Sequence, residues 1–435
     1  MRPPPTAVAR WRTPSVAPEW RAVIGRELGS DAGIDRPRAD APREESSRRD
    51  GRHARAHVLT LVDHLATTGG AERLAVDIAT RLDPARFRST LCATRYPGLG
   101  AAQPSDDELG CRERLREAGA SFLSVQRRGR GDLLAWRRLA SYLRREKVDV
   151  IHAHMFGSNA WGTAVGRLAR VPVIVAHEHT WAFEGEPVRK LLDRELIGRF
   201  SDVFLAVSQE DRRKMIEIER VPEKRIRVLA NGITPRAPTP GRDVRAELGL
   251  GDGPLVGAAG ALRPQKGYDN LIRAGVQLAT AHPGLRVLIC GEGPDRPRLE
   301  ELIAELGAGE TVRLLGRRLD VPDVLAALDV AVCASNYEGS PLAVMEYMEA
   351  ALPIVATSVG GVPDLIDDEV HGLLVAPGDP GELVRGVEQM LADRTRAAAM
   401  GANARVRRRA EFDLDVMIEN VQSLYEELLL AHSRA

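Results

Sequence analysis

The chain has 435 residues, 44% of them hydrophobic and 28% charged, the proportions of an ordinary globular protein with length enough for two domains. Lys+Arg and Asp+Glu balance at 61 each, so there is no global basic field for nucleic acid, and an anionic ligand must be met locally. No apolar run is as long as a membrane span, the Arg/Pro-rich start lacks the apolar core of a secretory signal, and Cys92, Cys111, Cys290 and Cys333 lie too far apart for a zinc or redox motif. This reads as a protein of the reducing cytoplasm.

Residues 1–56 hold Arg, Pro, Asp and Ser without sustained periodicity, which predicts a disordered extension with a short helix near Trp20–Leu28. From His57 onward, β-branched runs alternate with amphipathic helical patterns. Strands are expected at His57–Val62, Arg88–Ala93, Val148–His152, Val171–Ala176 and Val203–Val207, with helices such as Ala71–Leu82 and Leu133–Arg145 between them. The pattern pauses at Gly232–Arg242, where Pro235, Pro238 and Pro240 cluster, and this is the expected linker. A second set follows at Pro254–Ala259, Leu285–Cys290, Thr311–Leu315, Val330–Ala334 and Pro353–Thr357, then a helix over about Phe412–His432. Such alternation implies an α/β protein of two doubly wound parallel-sheet, Rossmann-like domains facing a cleft. The expected divisions are 57–235 and 243–410, with 411–435 as a C-terminal helix returning to the first domain. Ligands of such sheets bind at the carboxyl ends of the strands, hence in the cleft.

Several turns in this frame carry chemistry. Gly69-Gly70 opens a helix after the first strand, where glycines bring backbone amides close to an anion. His152 and His154 alternate on one strand end, as do His177 and His179 on the next. Such clusters could bind a metal, but neutral histidine at a strand end more often hydrogen-bonds substrate or backbone. The Arg127–Lys147 stretch mixes arginines with Leu133, Leu134, Trp136, Leu139 and Leu143, which suits either an anionic membrane or a crossover helix with a solvated basic face. In the segment from Ser335 to Asp364, a strand end leads through Glu338 and Gly339 to a helix, with Ser340 the expected N-cap and Pro341 the expected first helical residue. The free amides around Gly339–Leu342 would favour a phosphate there. Glu338 and Glu346 can point into one pocket at different depths, and a carboxylate accepts two hydroxyl hydrogen bonds, which suits a sugar or ribose diol.

This segment resembles the EG-x-P-x4-E signature of the GT-B retaining glycosyltransferases of family 4, also called group 1. The resemblance extends to Gly260–Gly267 (GALRPQKG), Gly291 in the turn Cys290–Pro294, Gly316-Arg317, Gly360–Asp364, Gly372–Pro377 and the Gly69–Arg73 loop. It implies that Glu338 meets the donor sugar hydroxyls, Glu346 the ribose and Lys266 the leaving diphosphate. It places Arg317 near the nucleotide base and puts a histidine against the donor sugar, for which spacing favours His179, then His177, with His154 behind. Three positions depart from the pattern. Ala261 replaces the usual Arg, whose charge Arg263 could supply; Ala351 replaces a Gly, and Glu349 a small residue.

The implied activity is transfer of a sugar from a UDP- or GDP-sugar to a glycan or lipid-linked acceptor with retained configuration. It would require no metal or further cofactor, and the cytoplasmic membrane face is a candidate contact. Acceptor contacts would come from Tyr96–Glu108 and Thr180–Val188. Two other classes fit the same frame, a nucleotide-sugar epimerase, which needs no acceptor, and an inactive nucleotide-sugar-binding homologue.

Overall fold

The computed structural model describes residues 55–65, 69–95, 105–129, 131–179 and 186–434. The expected extension, apart from its last two residues, and the helix near Trp20–Leu28 lie outside them, as do 96–104 and 180–185 of the two expected acceptor loops.

Thirteen strands form two sheets in these residues. The first holds β1 (Ala56–Val62), β2 (Phe87–Ala93), β3 (Ser121–Ser124), β4 (Val150–His154), β5 (Val173–His177), β6 (Val203–Ala206) and β7 (Ile226–Val228), in the order β3-β2-β1-β4-β5-β6-β7. The second holds β8 (Leu255–Ala259), β9 (Arg286–Cys290), β10 (Val312–Gly316), β11 (Val330–Cys333), β12 (Ile354–Thr357) and β13 (Leu373–Val375), in the order β10-β9-β8-β11-β12-β13. Every strand pairing is parallel. Inner strands such as β5 (VIVAH) and β8 (LVGAA) are buried along their whole length, because helices cover both faces. Strand order reverses between β1 and β4 and again between β8 and β11. These are the two points where a doubly wound sheet opens a crevice at its carboxyl edge.

The longer helices of the first lobe are α1 (Gly70–Arg81), α2 (Asp106–Glu117), α3 (Leu133–Arg145) and α4 (Met155–Ala169). The α3 helix buries Ala135, Trp136, Leu139, Ala140 and Leu143 against the first sheet, so its apolar stripe is spent on a crossover packing. Leu133 and Leu134 at its start stay exposed.

In the second half, α5 (Tyr268–Ala281), α6 (Leu342–Glu349) and α7 (Arg394–Glu411) precede the last helix, α8 (Leu414–Ser433). The α8 helix packs on the first sheet, burying Leu414, Met417, Ile418, Val421, Leu424 and Tyr425 with Leu74, Val150 and Val173. Six side chains of this size are together worth up to about 10 kcal/mol of burial. The chain therefore crosses between lobes twice. The crossings touch: Ile233 and Asp413 form an isolated parallel bridge, and Gly232 lies flat on the Asp413 carbonyl. Arg408, completely buried, clamps this junction by donating to the Ile233 carbonyl at 2.5 Å and pairing with Asp413 at 3.2 Å and Glu349 at 3.1 Å.

Candidate active site

The site is assembled from the loops at both switch points. After β8 the chain makes a short 3-10 turn, Pro264–Lys266, closed by Gly267 at φ 58°. A Cβ on Gly267 would stand 2.1 Å from the Ala334 carbonyl, so only glycine lets this turn lie against the loop after β11. That approach delivers Lys266 Nζ to 2.6 Å from Glu338 Oε1. The same oxygen accepts from Ser335 Oγ at 2.6 Å, and Gln265 Nε2 donates to the other at 3.4 Å. Glu338 is buried. Burial pushes the Lys266 ammonium down, but the adjacent Glu338 carboxylate outweighs it and holds the pKa above the usual lysine value. Lys266, Glu338 and Pro341 line one small cavity with Tyr268, Ser335 and Tyr347.

Helix α6 begins one residue later than expected. Pro341 takes the N-cap position with an extended backbone (φ −71°, ψ 114°), and Ser340 does not cap. Ser340 is instead buried, its carbonyl accepting from Asn231 Nδ2 at 3.1 Å. Gly339 faces the other lobe, since a Cβ there would stand 2.0 Å from the His179 carbonyl. Gly291 turns under Gly260, its N–H donating to the Gly316 carbonyl at 2.9 Å. Arg263 is exposed beside Lys266.

The first lobe closes over these loops. Gly69 and Gly70 start α1, and Gly70 lies on Leu342. One turn on, Arg73 reaches across the cleft to Glu346 at 3.2 Å, both side chains about a quarter exposed. Exposed Arg317 approaches Asp107 of α2 at 3.7 Å. Gln209 N donates to Asp364 Oδ2 at 2.6 Å.

Behind Gly339 the four histidines form a stacked column. His154 Nδ1 lies 2.9 Å from His179 Nε2, His152 Nε2 lies 3.2 Å from His177 Nδ1, and His152 Nδ1 meets the Tyr425 hydroxyl at 2.6 Å. Burial holds His152, His154 and His177 well below the usual histidine value, and His179 down to about 3, so all four rings are neutral. His179 alone is partly exposed. His154 and His177 are buried behind it, because β4 and β5 run further than their expected ends and carry both rings into the sheet. One nitrogen from each of His152, His154 and His177 lies within 4.8 Å of the others, the spacing of a loose metal triad, although the ring-to-ring contacts already occupy a nitrogen of each.

Twin doubly wound sheets that face each other at their switch points are the GT-B architecture of sugar-transferring enzymes. Residues 242–407 match the model of "Glycosyl transferases group 1" and residues 68–236 that of "Glycosyltransferase Family 4". The chain is 30% identical over 307 residues to D-inositol 3-phosphate glycosyltransferase of Thermobispora bispora, covering 65% of this chain and 71% of that one. It is 29% identical over 320 residues to alpha-D-kanosaminyltransferase of Streptomyces kanamyceticus, covering 69% and 82%. Its fold is similar to that of Anabaena HepE, solved in complex with UDP-glucose, with TM-score 0.73 and 23% identity over 85% of this chain and 99% of that one. The chain belongs to the group 1, family 4 glycosyltransferases.

Four residues to which the sequence motifs give no role also touch the site or its loops: Arg73, Gln265 and Ser335, which stand within the motif segments, and Asn231, which stands outside them. Each stands in a stretch whose spacing marks only a helix, linker or turn. For Arg73 the available signal was its place one turn into the helix that Gly69-Gly70 opens.

Proposed function

We propose that this glycosyltransferase moves a sugar from a UDP- or GDP-sugar to a glycan or lipid-linked acceptor with retained configuration. The reaction needs no metal and no cofactor beyond the donor. The carrying observation is the convergence of Lys266, Glu338 and Glu346 with the Gly69-Gly70 turn of the opposite lobe at facing switch points. In this reading the diphosphate lies against Lys266 and the amides around Gly339–Leu342, Glu338 and His179 hold the sugar, and Glu346 exchanges Arg73 for the ribose. Gly291 and Arg317 flank the nucleotide, and Arg263 supplies rim charge where Ala261 has none. The C1–O bond to the phosphate breaks with its electron pair leaving on the diphosphate. The acceptor oxygen bonds C1 from the same face and its proton passes to the departing phosphate oxygen. Charge stabilisation at the leaving group and close holding of the acceptor supply the rate.

Two features support contact with the cytoplasmic membrane face: exposed Leu133 and Leu134, and the exposed Arg138, Arg144 and Arg145 on the same helix. Among the described residues, no helix is long and apolar enough to cross a membrane.

The test is donor turnover with nucleotide-sugar panels. Lys266→Ala is expected to lower kcat on the order of 10²- to 10³-fold, the loss typical of one charge-stabilising donor. Near-native kcat in that variant would remove Lys266 from the leaving-group role. Formation of an epimer from donor alone would replace the transferase reading with an isomerase.

A further inference from the structure

The histidine column sets which ring nitrogen His179 offers to the cleft. A neutral imidazole carries one proton, and two nitrogens compete for it. His154 is buried, and its Nε2 has no hydrogen-bond partner. A buried N–H without a partner is the more costly orphan, whereas a bare acceptor lone pair is better tolerated. The proton of His154 therefore sits on Nδ1, which lies 2.9 Å from His179 Nε2. His154 donates, His179 Nε2 accepts, and the proton of His179 is left on its Nδ1. That nitrogen takes no partner among the described residues, and the His179 carbonyl lies against Gly339 in the loop that carries Glu338. We infer that His154 is a positioning residue that fixes His179 in the Nδ1–H tautomer, so that His179 meets the cleft ligand as a hydrogen-bond donor of fixed sense.

The inference rests on the donor-site reading for its effect on turnover, but its direct readout is independent of it. In protein with ¹⁵N-labelled histidine, two-bond proton–nitrogen correlations are expected to show His179 protonated on Nδ1 in the unsubstituted enzyme. In His154→Leu they should show the proton released to Nε2 in a fraction of molecules or more. His154→Leu should lower kcat about 10-fold, the worth of one mis-set hydrogen bond, with donor KM within about 3-fold. His154→Asn places an amide N–H where Nδ1 stood and should recover most of that loss and the Nδ1–H signature. His154→Gln places its amide at the Nε2 position and should recover neither. An Nε2–H pattern for His179 in the unsubstituted protein would overturn the inference, as would the nitrogen shifts of metal-bound rings, or wild-type kcat in a folded His154→Leu when His179→Ala is impaired. If His179→Ala turned over normally while the Nδ1–H signature held, the donor-site role of His179 would fail and the tautomer assignment would stand.

Discussion

Lys266 and Glu338 hold each other at 2.6 Å, so a diphosphate that recruits the lysine must compete with a carboxylate already in place. Ser335 and Gln265, one on each oxygen, keep Glu338 oriented when that happens, and the place that Lys266 vacates on Oε1 would then be open to a sugar hydroxyl. Glu346 poses a different exchange. Its partner Arg73 belongs to the other lobe, and a pair this exposed contributes less than about 1 kcal/mol. A ribose diol can displace it at small cost. Glu346→Ala is then expected to raise donor KM about 10- to 100-fold, the range for hydrogen bonds to a charged group, with a smaller fall in kcat. Initial rates across donor concentration decide this, and an unchanged KM would remove Glu346 from the nucleoside contact. The carboxylates and the lysine were legible in sequence because Glu338 and Lys266 each precede a glycine in a short motif and Glu346 stands at a fixed spacing from Glu338. Arg73 and Asn231 were not, because their partners lie 273 and 109 residues away and only the closed lobes join them.

Helix α6 links the site to the lobe junction, and two unusual residues at its end have physical explanations. Ala351 adopts φ 55°, the left-handed region, and its N–H donates to the Met348 carbonyl while that of Leu352 donates to Tyr347. This is the Schellman closure that normally uses glycine. Ala351→Gly should therefore raise stability by about 0.5–1 kcal/mol, read as a higher denaturation midpoint with an unchanged slope. A lower midpoint would show that the methyl contributes packing that outweighs the strain. Glu349 stands opposite the buried Arg408 and exposed Arg409, so a carboxylate in place of a small residue balances a guanidinium that water does not reach. The strongly periodic strands of both sheets were readable to within a few residues. The edge strands β3, β7 and β13 were not: polar residues interrupt the runs of β3 (SFLS) and β7 (IRV), and β13 (LLV) has only three residues. Extension of β4 and β5 through His154 and His177 was also missed, because histidine carries no strand signal and only stacking inside the sheet accounts for it.

At the scale of the molecule, the first lobe stores an unusual set of buried titratable groups. The rings of His152, His154, His177 and His179 stay neutral when folded, whereas the unfolded chain takes up protons there below about pH 6.5. Their contribution is present above that pH and lost as pH falls, each by up to about 1.4 kcal/mol per unit. Two carboxyls act oppositely. Burial pushes Glu178 up to about 7, and burial with the carboxylates of Glu219 and Glu178 pushes Asp193 well above its usual range. These keep protons that the unfolded chain releases, so their contribution is full in acid and lost as pH rises. Four rings outweigh two carboxyls between about pH 5 and 6, and only the carboxyls act above about 7. Thermal melting across pH is thus expected to peak between about 6 and 7, falling more steeply on the acid side. A plateau down to pH 5 would contradict the neutral column.

The double crossing at Ile233 and Asp413 has a consequence for chain integrity. A protease cut within the proline-rich stretch after Ile233 would sever only one of two tethers. The fragment beginning past the cut would still carry α8 and its hold on the first sheet, so the nicked protein would migrate as one particle until denatured. The same pair of tethers leaves the lobes a single shared pivot, which narrows their relative movement to swivelling about one line instead of drifting apart.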